Sequence, residues 1–412
     1  MWWVFTLSCL MAVVASARGQ CLTADDTAVG AGREDRRELS AGQQAFSVAL
    51  LQQLAATLPA SNLFFSPYST HQALLLAYFG AANQTDAALR RALRVPQQQS
   101  KAATWQAYRL EKFLRNFNTS DGHLFTSSNR VYISNKLKMR PCLAEKFDTE
   151  LASIDYETNV EAAQKAINAW VSEQTHGQIN NLIQGLSPAS TVTLVNAAYF
   201  KGKWQSQFQP ENTHKEVFHI SHSKQALVEM MKQKGTFNYM ISERLGAHVL
   251  ELPYKGEDIS MFILLPPFLK SNGVDAIIKQ LDVDSLREIT EQDAMYPQTV
   301  EVEIPKFTVE SRIEMQQVFK ALGAGDAFEK TADYSGFTGK PEVFFNSAIH
   351  QAKIEVNEEG TEAAAATAIF LFRSARPLNP TKFVCNHPFV YFLFDRVSQA
   401  VLFMGVYRSP KN

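Results

Sequence analysis

Apolar positions change their period along this chain. From Ala41 onward, Phe46, Ala49, Leu50, Leu51 and Leu54 recur at helical spacing, which predicts a helix with one apolar face. Asn62-Leu63-Phe64-Phe65-Ser66-Pro67 interrupts the period, and residues 70–78 predict a second helix. The second half reads as strands. Residues 191–200 are apolar and end in the charged turn Lys201-Gly202-Lys203. Residues 259–265 stop at Pro266-Pro267, and residues 300–307 set Val302, Ile304 and Phe307 among polar neighbours. Residues 389–393 and 400–406 are short apolar runs near the end. Such runs, bounded by turn residues, predict buried strands. Helices early and strands late predict an α+β architecture. No repeat or low-complexity linker divides residues 41–412, so they predict one large domain.

The chain starts differently. Residues 2–15 are apolar, and Ala15-Ser16-Ala17 supplies a small-residue cleavage pattern. This predicts a signal peptide over residues 1–17 and a secreted protein; the run is shorter than the ~20 residues of a spanning helix. Residues 18–40 are polar and charged, which predicts a flexible mature N-terminus. The chain carries 40 basic and 41 acidic residues, without the basic excess of a nucleic-acid binder; neither nucleic acid nor membrane is an expected partner. After the leader removes Cys9, Cys21, Cys142 and Cys385 remain. Their number is odd, so at least one thiol is free, buried or paired with another chain, and no C-x-x-C metal spacing occurs. Asn83 and Asn118 begin glycosylation sequons, which secretion makes plausible glycan sites.

Motifs for catalysis are missing. The chain has no G-x-S-x-G elbow, H-E-x-x-H, phosphate loop or G-x-G-x-x-G. Its nine histidines are scattered. One segment stands out: small residues from Gly360 to Ala366, apolar Ile369-Phe370-Leu371-Phe372, then Arg373-Ser374-Ala375-Arg376-Pro377. By composition alone it fits an Ala-rich helix followed by a connecting loop.

Asn357-Glu358-Glu359-Gly360-Thr361-Glu362-Ala363-Ala364-Ala365-Ala366-Thr367 resembles the hinge of inhibitory serpins. Asn62 to Ser69, Asn168-Ala169-Trp170-Val171 and Thr175-His176-Gly177-Gln178-Ile179 also resemble serpin motifs. So do Leu194 to Trp204, Val302 to Phe307, Ala332 to Gly336, Asn386 to Phe389 and Phe403-Met404-Gly405. The resemblance spans residues from about 40 to 412. It implies three sheets, eight or nine helices and an exposed reactive loop at about 358–384, in a monomer that needs no cofactor. It implies a shutter made by Ser66, Ser69, Asn196 and His350, and a breach at Trp204. It also implies the activity: a serine protease cuts the loop, forms an acyl-enzyme, and is trapped when the hinge inserts into the central sheet; the alternative within the family is a non-inhibitory carrier or storage serpin. The chain is most similar in impression to arthropod haemolymph serpins, which restrain immune and melanisation cascades.

The hinge suits such a step physically. Alternate residues of an inserting strand point inward, and Thr361, Ala363, Ala365 and Thr367 are small, while Glu362 falls on the other face. Counting seventeen residues from Glu358 places the cut after Ser374, at Ser374-Ala375, which suits an elastase-like protease; counting sixteen places it at Arg373-Ser374. Arg376 is followed by Pro377, an unfavourable bond. Arg373-Ser374 is favoured, because a trypsin-like pocket rewards a guanidinium with a buried acid. Lys101, Arg109, Lys112 and Arg115 share an arc of about 120° if their segment is helical. They resemble the heparin-binding helix of antithrombin, and are candidates for a heparin-like activator; a solvated helix face explains them equally simply.

Overall fold

The computed structural model describes residues 21–22, 32–117, 122–270, 272–291, 293–341, 343–360 and 380–410. The expected leader over 1–17, Asn118, the hinge from Thr361 to Thr367, and the candidate bonds at Arg373, Ser374 and Ala375 lie outside the described residues.

The helices are α1 (Arg33–Thr57), α2 (Pro67–Gly80), α3 (Asn83–Leu93), α4 (Lys101–Phe117), α5 (Pro141–Lys146), α6 (Val160–Gln174), α7 (Gly273–Gln280) and α8 (Val283–Thr290), with single turns α9 (Gln316–Phe319) and α10 (Ser335–Thr338). The first helix begins at Arg33 rather than Ala41. Its extra turns are built from Arg and Glu, which form helix well without burying an apolar face, so apolar periodicity did not reveal them. Asp35 caps the start by accepting from the Gly32 N–H at 3.0 Å. Helix α2 is buried along all fourteen residues. It starts where Pro67 pre-sets the backbone and the Ser66 side chain accepts from the Ser69 N–H at 3.0 Å.

The strands are β1 (Leu63–Phe65), β2 (His123–Ser134), β3 (Leu151–Ile154), β4 (Val192–Gly202), β5 (His214–Ser221), β6 (Lys224–Ser242), β7 (Ala247–Pro253) and β8 (Ile259–Leu265), followed by β9 (Tyr296–Pro305), β10 (Phe307–Glu314), β11 (Phe345–Val356), β12 (Thr381–Val384), β13 (Phe389–Asp395) and β14 (Ala400–Tyr407). Five form one sheet in the order β10-β11-β4-β2-β3; the other nine form a second. Among the described residues the strands expected as three sheets are hydrogen-bonded into two continuous ones, because β6 is 19 residues long. Its residues 224–230 pair with β5, 230–239 with β9 and 239–242 with β7, fusing two layers. Strand β12 falls inside the expected loop span of 358–384: it pairs in parallel with β9 and buries Phe383, so the loop closes before Thr381.

Helix α2 lies between the two sheets, against β2, β4 and β14. Helix α6 covers the other face of the five-stranded sheet, where Ile167 and Val171 pack with Tyr132, Val195, Ala197 and Ile349. No described helix is long and apolar enough to cross a membrane.

Candidate functional site

The five-stranded sheet contains a parallel seam. Residues from Phe345 to Lys353 of β11 pair with Val192 to Tyr199 of β4, with His350 opposite Asn196 and Ala352 opposite Ala198. Ala197, Ala198, Ala348 and Ala352 keep the seam small, and all are buried. A chain that reverses direction at the end of β11 would run antiparallel to both neighbours. Antiparallel pairs are the slightly more stable kind.

The chain does begin to reverse there. Asn357 and Gly360 form an antiparallel bridge just beyond β11. This turn is tied to the end of β4: the Trp204 N–H donates to the Glu359 carbonyl at 3.1 Å, the Trp204 indole to the Asn357 carbonyl at 3.0 Å, and the Phe208 N–H to the Glu358 carbonyl at 2.9 Å. Gly360 has φ +99°, and a Cβ there would lie 2.2 Å from the Gly202 carbonyl oxygen. Only glycine fits both demands. The start of the hinge therefore rests on top of the seam, with Trp204 stacked on Tyr254 behind it.

One clamp there has no sequence signature. Lys306 lies 2.9 Å from the Glu358 carboxylate, which also accepts from the Thr213 hydroxyl at 2.9 Å. Burial pushes the Glu358 carboxyl up, but these partners outweigh it and hold its pKa below the usual range.

A polar row crosses the sheet under the seam. His350, Asn196 and Asn129 are register partners on β11, β4 and β2. His350 Nδ1 contacts Asn196 Oδ1, and His350 Nε2 accepts from the Ser66 N–H at 2.9 Å. The imidazole is therefore neutral, with its proton on Nδ1. Burial lowers its pKa to about 3, and a second proton would face the Ser66 N–H. The Ser66 hydroxyl donates to the Leu402 carbonyl at 2.7 Å, and the Asn196 amide donates to the Ser69 hydroxyl at 2.5 Å. Ser66, Ser69, Asn196 and His350 thus meet, joined by Thr70 and Ser127, which motif reading missed. Separating β4 from β11 breaks the His350–Asn196 contact directly.

The basic arc on α4 is not assembled. Lys101 is buried against Asp86 at 2.6 Å and the Ala81 carbonyl at 2.6 Å. Arg115 is held by Glu111 at 3.1 Å and Asp395 at 3.0 Å, over the Tyr68 ring. Lys112 pairs with Glu150, and Arg109 alone of the four is exposed. Carboxylates pair with Lys101, Lys112 and Arg115, while Phe113, on the neighbouring apolar arc, is 62% exposed. Asn83 is exposed at the start of α3, its amide donating to Asp333 at 2.7 Å. Cys21 and Cys142 form a disulfide, and Cys385 is free and buried. Among the described residues no group of His, Cys, Asp or Glu could hold a metal ion.

The parallel seam, the polar row beneath it and the turn at Asn357–Gly360 thus lie together in one sheet. Comparison with known proteins gives the family. The family model described as Serpin (serine protease inhibitor) matches residues 41–410. Serine protease inhibitor 88Ea of Drosophila melanogaster is 40% identical over 398 residues, covering 92% of each chain. A leukocyte elastase inhibitor of Bos taurus is 36% identical over 387 residues, 90% of this chain and 100% of its own. Among solved structures, Serpin48 of the insect Tenebrio molitor superposes with a TM-score of 0.78 at 28% identity, covering 92% of this chain and 100% of that one. The chain belongs to the serpin family, whose members are described as serine protease inhibitors.

Proposed function

We propose that this serpin is a secreted inhibitor that traps a trypsin-like serine protease as a covalent acyl-enzyme. The observation that carries the reading is the hinge turn at Asn357–Gly360, seated where β11 and β4 would part. The protease serine attacks the carbonyl carbon of the bait residue, an ester forms, and the peptide bond to the next residue breaks with its nitrogen protonated. The freed hinge then inserts between β4 and β11 and carries the esterified protease with it, before water can hydrolyse the ester. Arg373 is the favoured bait residue, with Ser374 after the cut.

The 88Ea inhibitor of Drosophila and Serpin48 of Tenebrio support an insect-like setting, in which an extracellular immune or melanisation cascade is the natural target. A disulfide between Cys21 and Cys142 suits an oxidising compartment and so a secreted protein. The bovine leukocyte elastase inhibitor favours the second reading, a cut at Ser374-Ala375 by an elastase-like enzyme.

One experiment separates the readings. The protein is incubated with trypsin-like and elastase-like proteases, SDS-stable complexes are sought, and the released C-terminal peptide is weighed. The expected result is a complex with the trypsin-like enzyme and a peptide beginning at Ser374. A peptide beginning at Ala375 moves the target to elastase-like enzymes, and cleavage without any complex overturns inhibition.

A further inference from the structure

The chain that leaves α6 crosses the seam before it enters β4. Residues 178–183 lie on the face of the five-stranded sheet that carries α6, and Ile179, Leu182 and Ile183 are buried there with Val195 and Ala197 of β4 and Ile349 of β11. This strap is bound firmly on one side. The Asn168 side chain of α6 donates to the Ile183 carbonyl and accepts from the Ile183 N–H, both at 2.9 Å. The Thr175 hydroxyl accepts from the Ile179 N–H at 3.1 Å. Helix α6 itself sits on the β2 side, where Trp170 packs edge-on against Tyr132 and the Arg130 guanidinium lies 4.3 Å from the Trp170 ring.

Two cations on the other side of the seam reach the strap. Strand residues alternate in face, so Ile349, Gln351 and Lys353 of β11 share the face under α6 with Arg312 of β10, the register partner of Gln351. Arg312 Nε donates to the Leu182 carbonyl at 2.9 Å, and Lys353 Nζ donates to the Gln178 side-chain oxygen at 3.2 Å. Glu314 lies 3.8 Å from the Arg312 guanidinium. Neighbouring strands stand about 4.8 Å apart, so a strand entering between β4 and β11 carries β10 and β11 about that much farther from β4. The Arg312–Leu182 bond does not survive this step while the strap stays with α6. The two Asn168 bonds and the covalent run into β4 hold the strap there.

We propose that Arg312 is a latch: with Lys353 in support, it fastens the α6 strap across the closed seam and sets how fast a strand enters. The proposal rests on the hinge-insertion reading above and adds the residue that times the step. Arg312 acts through the strap and is therefore a positioning residue. A charged donor makes the stronger kind of hydrogen bond, yet the Arg312 side chain is 26% exposed, and water takes over part of what is lost on release. The latch accordingly slows entry by about fivefold and does not bar it. While it holds, water has longer to hydrolyse the acyl-enzyme, so the same bond biases the ratio of trapped to released protease. It lies apart from the hinge contacts at Trp204 and from the polar row at His350, which face other partners.

Entry is read first without a protease, as uptake by the full chain of a fluorescein-labelled synthetic peptide of residues 359–370, followed on native gels. Arg312→Met keeps the stem and removes the donor, and should take the peptide up about fivefold faster than wild type. Arg312→Lys restores a charged donor and should stay within about twofold of wild type. Glu314→Gln leaves the latch bond in place and should match wild type. Incubated with trypsin or elastase, Arg312→Met should also raise the ratio of covalent complex to cleaved serpin. Uptake that ranks the variants in this order while no variant forms a complex refutes the inhibitory reading and supports the latch. The latch is overturned if Arg312→Met takes up peptide at the wild-type rate, whatever its melting midpoint, or if Arg312→Lys is as fast as Arg312→Met. Faster uptake by Glu314→Gln, or no uptake by any variant, overturns it as well.

Discussion

Thr361→Arg tests the insertion step where the geometry is most explicit. The Asn357–Gly360 bridge sets an antiparallel register. Continued along β11, it would pair residue 361 with Val356, 363 with Ile354, 365 with Ala352 and 367 with His350. Paired residues share a face, and these four β11 partners are 1%, 1%, 0% and 0% exposed. An arginine at 361 would have to enter beside Val356 with no acid to meet it. An uncompensated buried charge costs about 3–5 kcal/mol. If half of about 4 kcal/mol is felt in the transition state, insertion slows about 30-fold; if all of it is felt, about a thousandfold. Hydrolysis of the acyl-enzyme then wins. Titration against trypsin with SDS gels should show cleavage at the wild-type rate and little complex. Glu362→Arg is the control, since that position would pair with the exposed Glu355 and should preserve the complex. An unchanged ratio of complex to cleaved serpin for Thr361→Arg would refute both the register and the inward placement.

Three further outcomes follow from the same structure. His350 is buried neutral with a pKa lowered to about 3, so its contribution to stability is intact above the unfolded value of about 6.5 and is lost as pH falls toward 3, by about 1.4 kcal/mol per unit; His350→Gln, although less stable at pH 7, should show a shallower acid dependence in thermal melts between pH 6.5 and 4.5. Lys306→Met leaves Glu358 with Thr213 alone and should cost about 1 kcal/mol at pH 7; because the folded Glu358 pKa is depressed, the gap to wild type should close as pH falls through the carboxylate range, and a gap that persists in acid would show that lost Lys306 packing, not charge, is responsible. Cys142→Ser opens a link spanning 121 residues and should lower stability by about 2–4 kcal/mol, matched by wild type in reductant; equal melting midpoints with and without reductant would count against the disulfide.

Features that depend on local period were legible in the chain. Strand β8 spans Ile259–Leu265, as its apolar run stopped by Pro266-Pro267 predicts. Helix α2 and strands β4, β13 and β14 lie within a few residues of their apolar segments. Motif resemblance singled out Ser66, Ser69, Asn196 and His350, and their meeting needed only that β11, β4 and α2 pack together. By itself, then, the sequence determined the α+β class, the serpin family and the run of small residues from Gly360 to Ala366, because each is written in neighbouring residues. The rest depended on partners far along the chain. Tertiary structure alone decided that Cys21 pairs with Cys142, that Lys306 clamps Glu358, and that β6 joins two layers. It also paired Lys101, Lys112 and Arg115 of α4 with Asp86, Glu150, Glu111 and Asp395, and left Arg33, Arg37 and Arg287 around an open groove. A charged helix face has no intrinsic direction: it turns inward where the fold supplies carboxylates close enough to offset its desolvation, and stays in water where it does not.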